Sequence, residues 1–270
     1  MEFKTNHCDL YPPTFSKNKY THGIKLPSDR DFYFRAKQCE LVDQYTAARF
    51  FLSQTEGTNY KSWLTPAESE IVTKGIHYVW KSYFYEAALM YYNILVDLSW
   101  TICYLSAEFV CYRNGTANEF DRVKSLGKAE ELMREAESSV EEPTSSTNPL
   151  KYILKVRPEF STAIQMVNDF WKDYKESPIR IKYNYCKHRG KPSYTEIANL
   201  RGPKLANHFI KFGNECMVQT AFDTRDVRYE TSLEDSIIEL QKFDDEMLFP
   251  YLEKLLYELE RLVDPSPWAF

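Results

Sequence analysis

Apolar residues recur every three or four positions along most of this chain, which is the period of an amphipathic α-helix. The first such run begins at Ser28-Asp29 and ends before Gly57 and Asn59. Its apolar stripe consists of Phe32, Cys39, Leu41, Val42, Tyr45, Ala48 and Phe51. The pattern predicts a helix over residues 29–54, preceded by an extended arm (residues 1–28) that shows no period.

A longer run begins with a capping box at Thr65-Pro66-Ala67-Glu68 and meets no convincing stop until Asn114-Gly115. It predicts one helix of up to about 48 residues, or two helices with a break near Gly75. Residues 114–125 then read as a polar loop.

The second half of that run, residues 87–112, is apolar on nearly every side. Such a segment fits a membrane span or a helix surrounded by other helices. Asn93, Asp97 and Glu108 interrupt it, and a charge near the centre of a bilayer is costly. We therefore interpret it as a central helix buried by its neighbours, and we expect no membrane association.

The remaining pattern predicts more helices, joined by loops. A solvated helix spans 126–142, a surface loop 141–149, and a helical segment 150–175 with a fresh start at Pro158. A helix is predicted over 204–216 and a long final helix over 232–263, kinked at Pro250. The pattern within residues 217–229 is ambiguous and leaves a short pair of strands as an alternative. Together these elements predict an all-α, antiparallel multi-helix bundle that forms a single domain over residues 29–264.

Composition narrows the classes of function. Only 8 of 270 residues are glycine, which disfavours folds and phosphate loops built on tight glycine turns. The net charge of −5 gives no overall attraction to nucleic acid or anionic lipid. The six cysteines are scattered, and the first residues carry no apolar run. We therefore expect reduced thiols and a cytoplasmic location.

Familiar catalytic and cofactor motifs are missing from the sequence. It contains no phosphate-loop, dinucleotide-binding or nucleophile-elbow motif, and no histidine with a carboxylate three residues before it. Asp244-Asp245-Glu246 is interpreted as a solvated helix face, because adjacent residues of a helix point apart. We expect no cofactor and no metal, and a metal-using helical enzyme stays a minor alternative.

Charge is distributed unevenly. Between Pro178 and Lys204 the sequence has seven cations and one carboxylate, Glu196. From Glu230 to Val263 it has ten carboxylates and three cations. Opposed charges within one chain indicate either internal pairing or a dimer in which one surface meets the other.

The basic stretch contains candidate chemistry at Tyr183–Gly190, Tyr-Asn-Tyr-Cys-Lys-His-Arg-Gly. A histidine between cations is suited to a phosphodiester, because the cations hold the phosphate and the histidine transfers a proton near neutral pH. The candidate catalytic residues are His188 for proton transfer, Lys187 and Arg189 for phosphate charge, and Asn184 as an orienting amide. Candidate binding residues are Arg180, Lys182, Tyr183 and Lys191.

This stretch resembles the signature of HEPN-type helical domains, often written Arg-Asn-x-x-Lys-His. Asn184, Lys187 and His188 match its polar, lysine and histidine positions, whereas its arginine position falls on Tyr183. The nearest preceding arginine is Arg180, with seven residues between it and His188. The helical pattern is compatible with the family over residues 66–263.

The resemblance implies a homodimer and a metal-independent ribonuclease or an RNA-binding or nucleotide-binding relative of one, as found in toxin–antitoxin and phage-defence systems. Because the arginine position is a tyrosine, RNA binding is expected more than efficient RNA cleavage.

A purely structural interpretation of the stretch Tyr183–Gly190 also stays open. Gly190 would end a helix in a left-handed conformation, and the cations before it would favour the negative end of the helix dipole. The chain would then be a structural or interaction protein with no role in nucleic-acid binding.

Overall fold

Two long helices, α1 (Asp29–Gln54) and α2 (Glu70–Ser106), make the most extensive interhelical contact. The computed structural model describes residues 29–57, 69–106, 109–113, 116–119, 150, 154, 157–200, 208–212, 215–219 and 228–263. The bounds of α1 confirm the predicted helix over 29–54. Of the two alternatives for the next segment, one continuous helix through Gly75 is correct.

The predicted end of α2 is wrong. The helix stops at Ser106, and an antiparallel pair follows, β1 (Phe109–Arg113) and β2 (Thr116–Glu119), in which Arg113 is opposite Thr116. Phe-Val-Cys-Tyr is a β-prone run, and Asn114-Gly115 is the two-residue sequence most typical of a hairpin turn. The same residues therefore specify a hairpin where we predicted helix and loop.

A short 3₁₀ turn (Pro158–Phe160) leads into α3 (Ser161–Lys175), which confirms the fresh helix start at Pro158. Helix α4 (Pro178–Arg189), strand β3 (Ser193–Tyr194) and the short α5 (Thr195–Leu200) follow. Strand β6 (Glu230–Thr231) pairs in parallel with β3 and brings the end of the chain back beside α4. Helix α6 (Leu233–Phe243), a π-helical turn (Asp244–Leu248) and α7 (Phe249–Val263) complete the described fold.

The helix predicted over 204–216 is also wrong. Strands β4 (His208–Phe212) and β5 (Glu215–Gln219) form an antiparallel pair there, with Phe212 opposite Glu215. The two residues between them, Gly213-Asn214, belong to the set that favours a tight hairpin connection. The described part of the chain is thus predominantly helical, with strand pairs added after α2 and after α5.

Helix α2 is the centre of the packing, as its apolar second half predicts. It contacts α1, α3, α4, α5, α6 and α7. Its buried side chains include Tyr85, Leu89, Tyr92, Val96 and Trp100. Trp100 packs edge-on against Trp171 of α3, with ring centroids 5.1 Å apart. No helix in the described ranges has the length and hydropathy that crossing a membrane requires.

A buried carboxylate joins three parts of this core. Asp244, on the π-helical turn, is 0% exposed and forms an ion pair with Arg49 of α1, which is 1% exposed. The hydroxyls of Tyr45 and Tyr92 donate to its two oxygens at 2.9 and 2.8 Å. Burial raises the pKa of Asp244 to about 6, against the opposing charge of Arg49. The interpretation of residues 244–246 as a solvated face is therefore wrong for Asp244, and also for Asp245, whose side chain is 5% exposed and lies 3.8 Å from Arg49.

The sequence does contain a signal for this position. Asp244 lies four residues after Leu240 and four before Leu248, which are both buried, so it falls on the apolar stripe of the helix. Pro250 follows, and it lacks the N–H that a continuous α-helix would direct at the carbonyl of Glu246. A π-helical turn ends at Leu248, two residues before Pro250, and the kink predicted at Pro250 stays a prediction.

Glu196, the single carboxylate of the basic stretch, caps α6 from outside that helix. Its carboxylate accepts hydrogen bonds from the Ser232 hydroxyl and from the N–H groups of Leu233 and Glu234, at 2.9 to 3.1 Å. Desolvation opposes its ionisation, but these hydrogen bonds prevail and lower its pKa. The N-terminus of α6 is thereby anchored to α5.

Several predicted features lie outside the described residues: the arm at 1–28, the capping box at 65–68, the helix at 126–142 and the loop at 141–149.

We predict that Asp244→Asn destabilises the fold by about 3–5 kcal/mol at neutral pH, because Arg49 would keep a buried charge without its main counter-ion. Chemical denaturation measures the loss. Asp235→Asn is the matched control, since Asp235 is an exposed carboxylate in the first turn of α6 and should cost at most about 1 kcal/mol. Equal losses in the two variants would contradict the central role of Asp244.

Candidate functional site

Helix α4 carries most of the candidate residues, and both of its ends follow from local sequence. Ser177 accepts a hydrogen bond from the backbone N–H of Arg180 at 3.2 Å, and Pro178 occupies the first helical position. The helix ends at Arg189, and Gly190 adopts φ 93° and ψ −158°. A positive φ confirms a glycine-dependent stop, but this ψ is extended and not the left-handed helical value that we predicted.

The buried side of α4 uses one candidate cation for packing. Lys182 is buried together with Ile179 and Tyr183. Its ammonium forms an ion pair with Glu239 of α6 and donates to the Ser236 hydroxyl at 3.0 Å. Lys182 therefore joins two helices and is not available as a phosphate ligand.

Arg180 lies on one flank of α4 against aromatic rings. Its guanidinium carbon is 5.5 Å from the ring centroids of Trp171 and Tyr183 and 5.7 Å from that of Tyr174. Guanidinium groups favour such positions because the ring face is electron-rich. Arg180 is half-buried, so part of its charge still reaches solvent.

One carboxylate of α2 faces these cations. Desolvation raises the pKa of Asp97, and the positive charges of Arg180 and Lys187 oppose that rise. Asp97 is exposed as a residue and lies between Asn93 and Trp100, which contact Tyr174 and Trp171 of α3. Asp97 thus provides a negative charge within the protein near the side of α4 that carries Arg180.

Lys191, just beyond α4, is also engaged by the protein. Its ammonium lies 3.1 Å from the carboxylate of Glu86 and 2.8 Å from the Ser82 hydroxyl, both on α2. It also lies 4.2 Å from the ring centroid of Tyr83. Tyr194 donates to the same Glu86 oxygen at 3.0 Å. Lys191 therefore anchors the chain after Gly190 to the central helix.

The last turn of α4 is different, because Lys187, His188 and Arg189 are all exposed. Lys187 lies 5.7 Å from the ring centroid of Tyr183, and Asn184 is half-buried one turn earlier. His188 falls almost opposite the buried side of α4, since it is six residues after Lys182 and nine after Ile179. Three of the four proposed catalytic residues thus form one exposed cationic turn.

The structure does not bring Arg180 to His188 within one chain. Eight residues of α-helix separate their α-carbons by about 12 Å along the axis. Arg180 is also directed at α3, whereas His188 faces solvent. Arg189 is the last residue of α4 and directly follows His188.

Two tyrosine side chains that we did not predict lie beside this turn. The Tyr185 and Tyr229 rings are 5.4 Å apart, and the backbone N–H of Tyr229 donates to the Tyr185 hydroxyl at 2.9 Å. Arg228 is exposed next to Tyr229. Nothing in the sequence connects position 229 with position 185, since the parallel pairing of β3 with β6 creates this proximity.

Metal chemistry has no support within the described residues. In those parts of the chain, no three His, Cys, Asp or Glu side chains cluster in a way that could hold a metal ion.

Comparisons of this chain with protein-family models, with characterised proteins and with solved structures give no match. The resemblance to HEPN-type domains therefore rests on residues 184–190 and on the helical pattern.

We predict that Gly190→Ala destabilises the protein by roughly 1–3 kcal/mol, because its backbone conformation is essentially restricted to glycine. No atom of the described residues lies within 4 Å of the added methyl group, so the expected cost comes from the backbone conformation. Thermal and chemical denaturation measure it.

Gly75→Ala is the matched control. It lies inside α2, where its added methyl group would meet only Leu200 Cδ1 at 3.9 Å. Alanine should stabilise a helix interior there by roughly 0.5–1 kcal/mol. A neutral Gly190→Ala variant would contradict the assigned conformation at the end of α4.

Proposed function

We propose that this protein binds RNA through the exposed last turn of α4, at Lys187, His188 and Arg189, and that its ribonuclease-type motif is degenerate. The proposal combines the local resemblance to HEPN-type domains with the position of the cations. It assigns phosphate contacts to Lys187 and Arg189 and a polar contact to His188.

The observation that carries the proposal is the division of the basic stretch into engaged and exposed cations. Lys182 and Lys191 form ion pairs with Glu239 and Glu86, and Arg180 lies against three aromatic rings. Lys187 and Arg189 are exposed and flank a histidine. Exposed cations near one another attract a polyanion even on a protein of net negative charge. Arg201 and Lys204 lie outside the described residues.

Binding is favoured over cleavage by the surroundings of His188. A phosphoryl transition state needs a positive charge beside the proton-transfer group. The residue at the motif's arginine position, Tyr183, is buried and supplies no cation, and Arg180 is about 12 Å away from His188 along the helix. Arg189 is the single arginine adjacent to His188 in the sequence. A second copy of the chain would have to supply any further charge.

The proposal includes a homodimer, which the HEPN resemblance implies because sites of that family usually form across a two-fold axis. Ile181 is exposed and lies two helical turns before His188, on the same face of α4, and the proposal assigns it to the interface with the second copy.

A second candidate function is that of an interaction protein with no role in nucleic-acid binding, and the way in which α4 ends favours it. Gly190 ends α4, and cations in the last turn are favoured there by the helix dipole without any ligand. In that case the exposed turn would be a consequence of helix termination. RNA binding separates the two proposals.

We predict that Lys187→Ala/Arg189→Ala lowers the affinity for single-stranded RNA by roughly tenfold or more at low salt, because two phosphate contacts are lost. Fluorescence anisotropy of a labelled RNA measures the affinity. The slope of log affinity against log salt should fall by about 1.4, since each contact to a single strand contributes about 0.7.

The matched control for this pair is Lys172→Ala/Lys175→Ala on α3, which removes two exposed cations from another helix. It should leave the affinity within about twofold, because charges that make no phosphate contact add little to binding. Equal losses in both variants, or no binding by the unmodified protein, would reject the site.

The same RNA should stay intact during incubation with the protein. Cleavage that His188→Ala abolishes would show instead that the motif is active.

We predict that the protein elutes as a dimer at micromolar concentration, and size-exclusion chromatography with light scattering measures its mass. Ile181→Glu should shift it toward monomer, because a buried charge at an interface without a partner is costly. The exposed Tyr257→Glu on α7 is the control. A monomer in the unmodified protein would remove the dimer from the proposal.

A further inference from the structure

The Tyr185–Tyr229 pair lies on the same side of α4 as part of the exposed cationic turn. Tyr185 is three residues before His188 and four before Arg189, and residues at those spacings are neighbours on a helix surface. Tyr229 packs on Tyr185, and its residue is 43% exposed. An aromatic surface therefore adjoins two of the residues that we assign to RNA binding.

Hydrogen bonds hold the backbone of Tyr229 in place from two directions. Its N–H donates to the Tyr185 hydroxyl at 2.9 Å, and its carbonyl accepts from the N–H of Ser193 at 2.9 Å. Ser193 begins β3, which pairs with β6 immediately after Tyr229. The ring of Tyr229 is thus presented from an anchored backbone, and a preorganised ring binds a planar ligand at lower entropic cost.

Cations outnumber carboxylates around this ring. Arg228 and Glu230 are both exposed and flank Tyr229 in the chain, and His188 and Arg189 lie around Tyr185 on α4. Proteins that bind single strands combine this pair of features, cations for the backbone and aromatic rings for the bases. A duplex keeps its bases stacked inside, so an exposed ring favours an unpaired base.

We propose that Tyr229, supported by Tyr185, stacks on an unpaired base of the bound RNA, and that Arg228 contacts an adjacent phosphate. This inference rests on the proposed RNA-binding function and adds a base-stacking subsite to it. Neither Arg228 nor Tyr229 belongs to the motif, so the subsite extends the site from α4 to the segment that leads into β6.

The test compares Tyr229→Leu with Tyr229→Phe in the full-length protein. Tyr229→Leu keeps an apolar side chain but removes the aromatic face, and it should weaken binding of a single-stranded RNA roughly tenfold. Tyr229→Phe keeps the ring and should bind within about twofold of the unmodified protein. Tyr257→Leu, which removes an exposed tyrosine from α7, should have no effect on affinity.

Two further measurements separate stacking from packing. Thermal unfolding should place Tyr229→Leu within a few degrees of the unmodified protein, because the residue is 43% exposed and leucine keeps an apolar side chain. Binding of a duplex RNA of equal length should be weaker than that of the single strand and unchanged by Tyr229→Leu. Arg228→Ala should lower the salt slope by about 0.7, the value for one phosphate contact on a single strand.

The outcomes distinguish this subsite from the proposed function itself. If Lys187→Ala/Arg189→Ala loses RNA and Tyr229→Leu binds like the unmodified protein, the function stands and the subsite is rejected. If Tyr229→Leu and Tyr229→Phe lose affinity equally, the hydroxyl matters and stacking is rejected. If the unmodified protein binds no RNA, both proposals fall.

Discussion

The structure depends first on the buried carboxylate of Asp244. It accepts hydrogen bonds from Tyr45 of α1 and Tyr92 of α2 and pairs with Arg49, so one charged group connects three helical segments distant in sequence. Burying two charges is costly, and their attraction offsets this cost only when the geometry is good and the remaining oxygen positions are filled. The two tyrosine hydroxyls fill them here, and burial holds the pKa values of both above the ordinary range, so both remain donors. The arrangement of α1, α2 and the α6–α7 segment is therefore specified by polar contacts as well as by apolar packing.

The same principle governs the side of the protein where α4 lies. Lys182 is paired with Glu239 and Lys191 with Glu86, and Glu196 caps α6, so oppositely charged segments meet inside the chain. This internal pairing accounts for part of the charge opposition between the basic stretch and the acidic end. The last turn of α4, at Lys187, His188 and Arg189, faces solvent instead, although Lys187 also lies near the Tyr183 ring and Asp97. The surface that we assign to RNA thus consists of the most exposed cations among those that the structure describes in the basic stretch.

Local sequence was sufficient where a signal acts over a few residues. The bounds of α1, the fresh start at Pro158 and the glycine stop of α4 follow from caps, prolines and apolar period. We misread the local sequence around Asn114-Gly115 and Gly213-Asn214, because in each case β-prone runs on both sides of a turn-favouring dipeptide outweigh a weak helical period. Asp244 was misread for another reason. We took three adjacent acids as one solvated group, although Asp244 is in register with Leu240 and Leu248 on the buried stripe, and the side chain of Asp245 is also only 5% exposed.

The sequence by itself determined the helical character, the central position of α2 and the presence of a histidine between cations on a short helix. Tertiary structure decided which cations are available, because Lys182 and Lys191 meet their partners from α6 and α2 only after the helices pack. It also decided that Tyr229 and Arg228 lie beside Tyr185, since the parallel pairing of β3 with β6 joins segments that no local pattern connects. The physical reason is common to both. A periodic pattern reports which side of an element is buried, whereas the identity of the group that it meets depends on long-range packing.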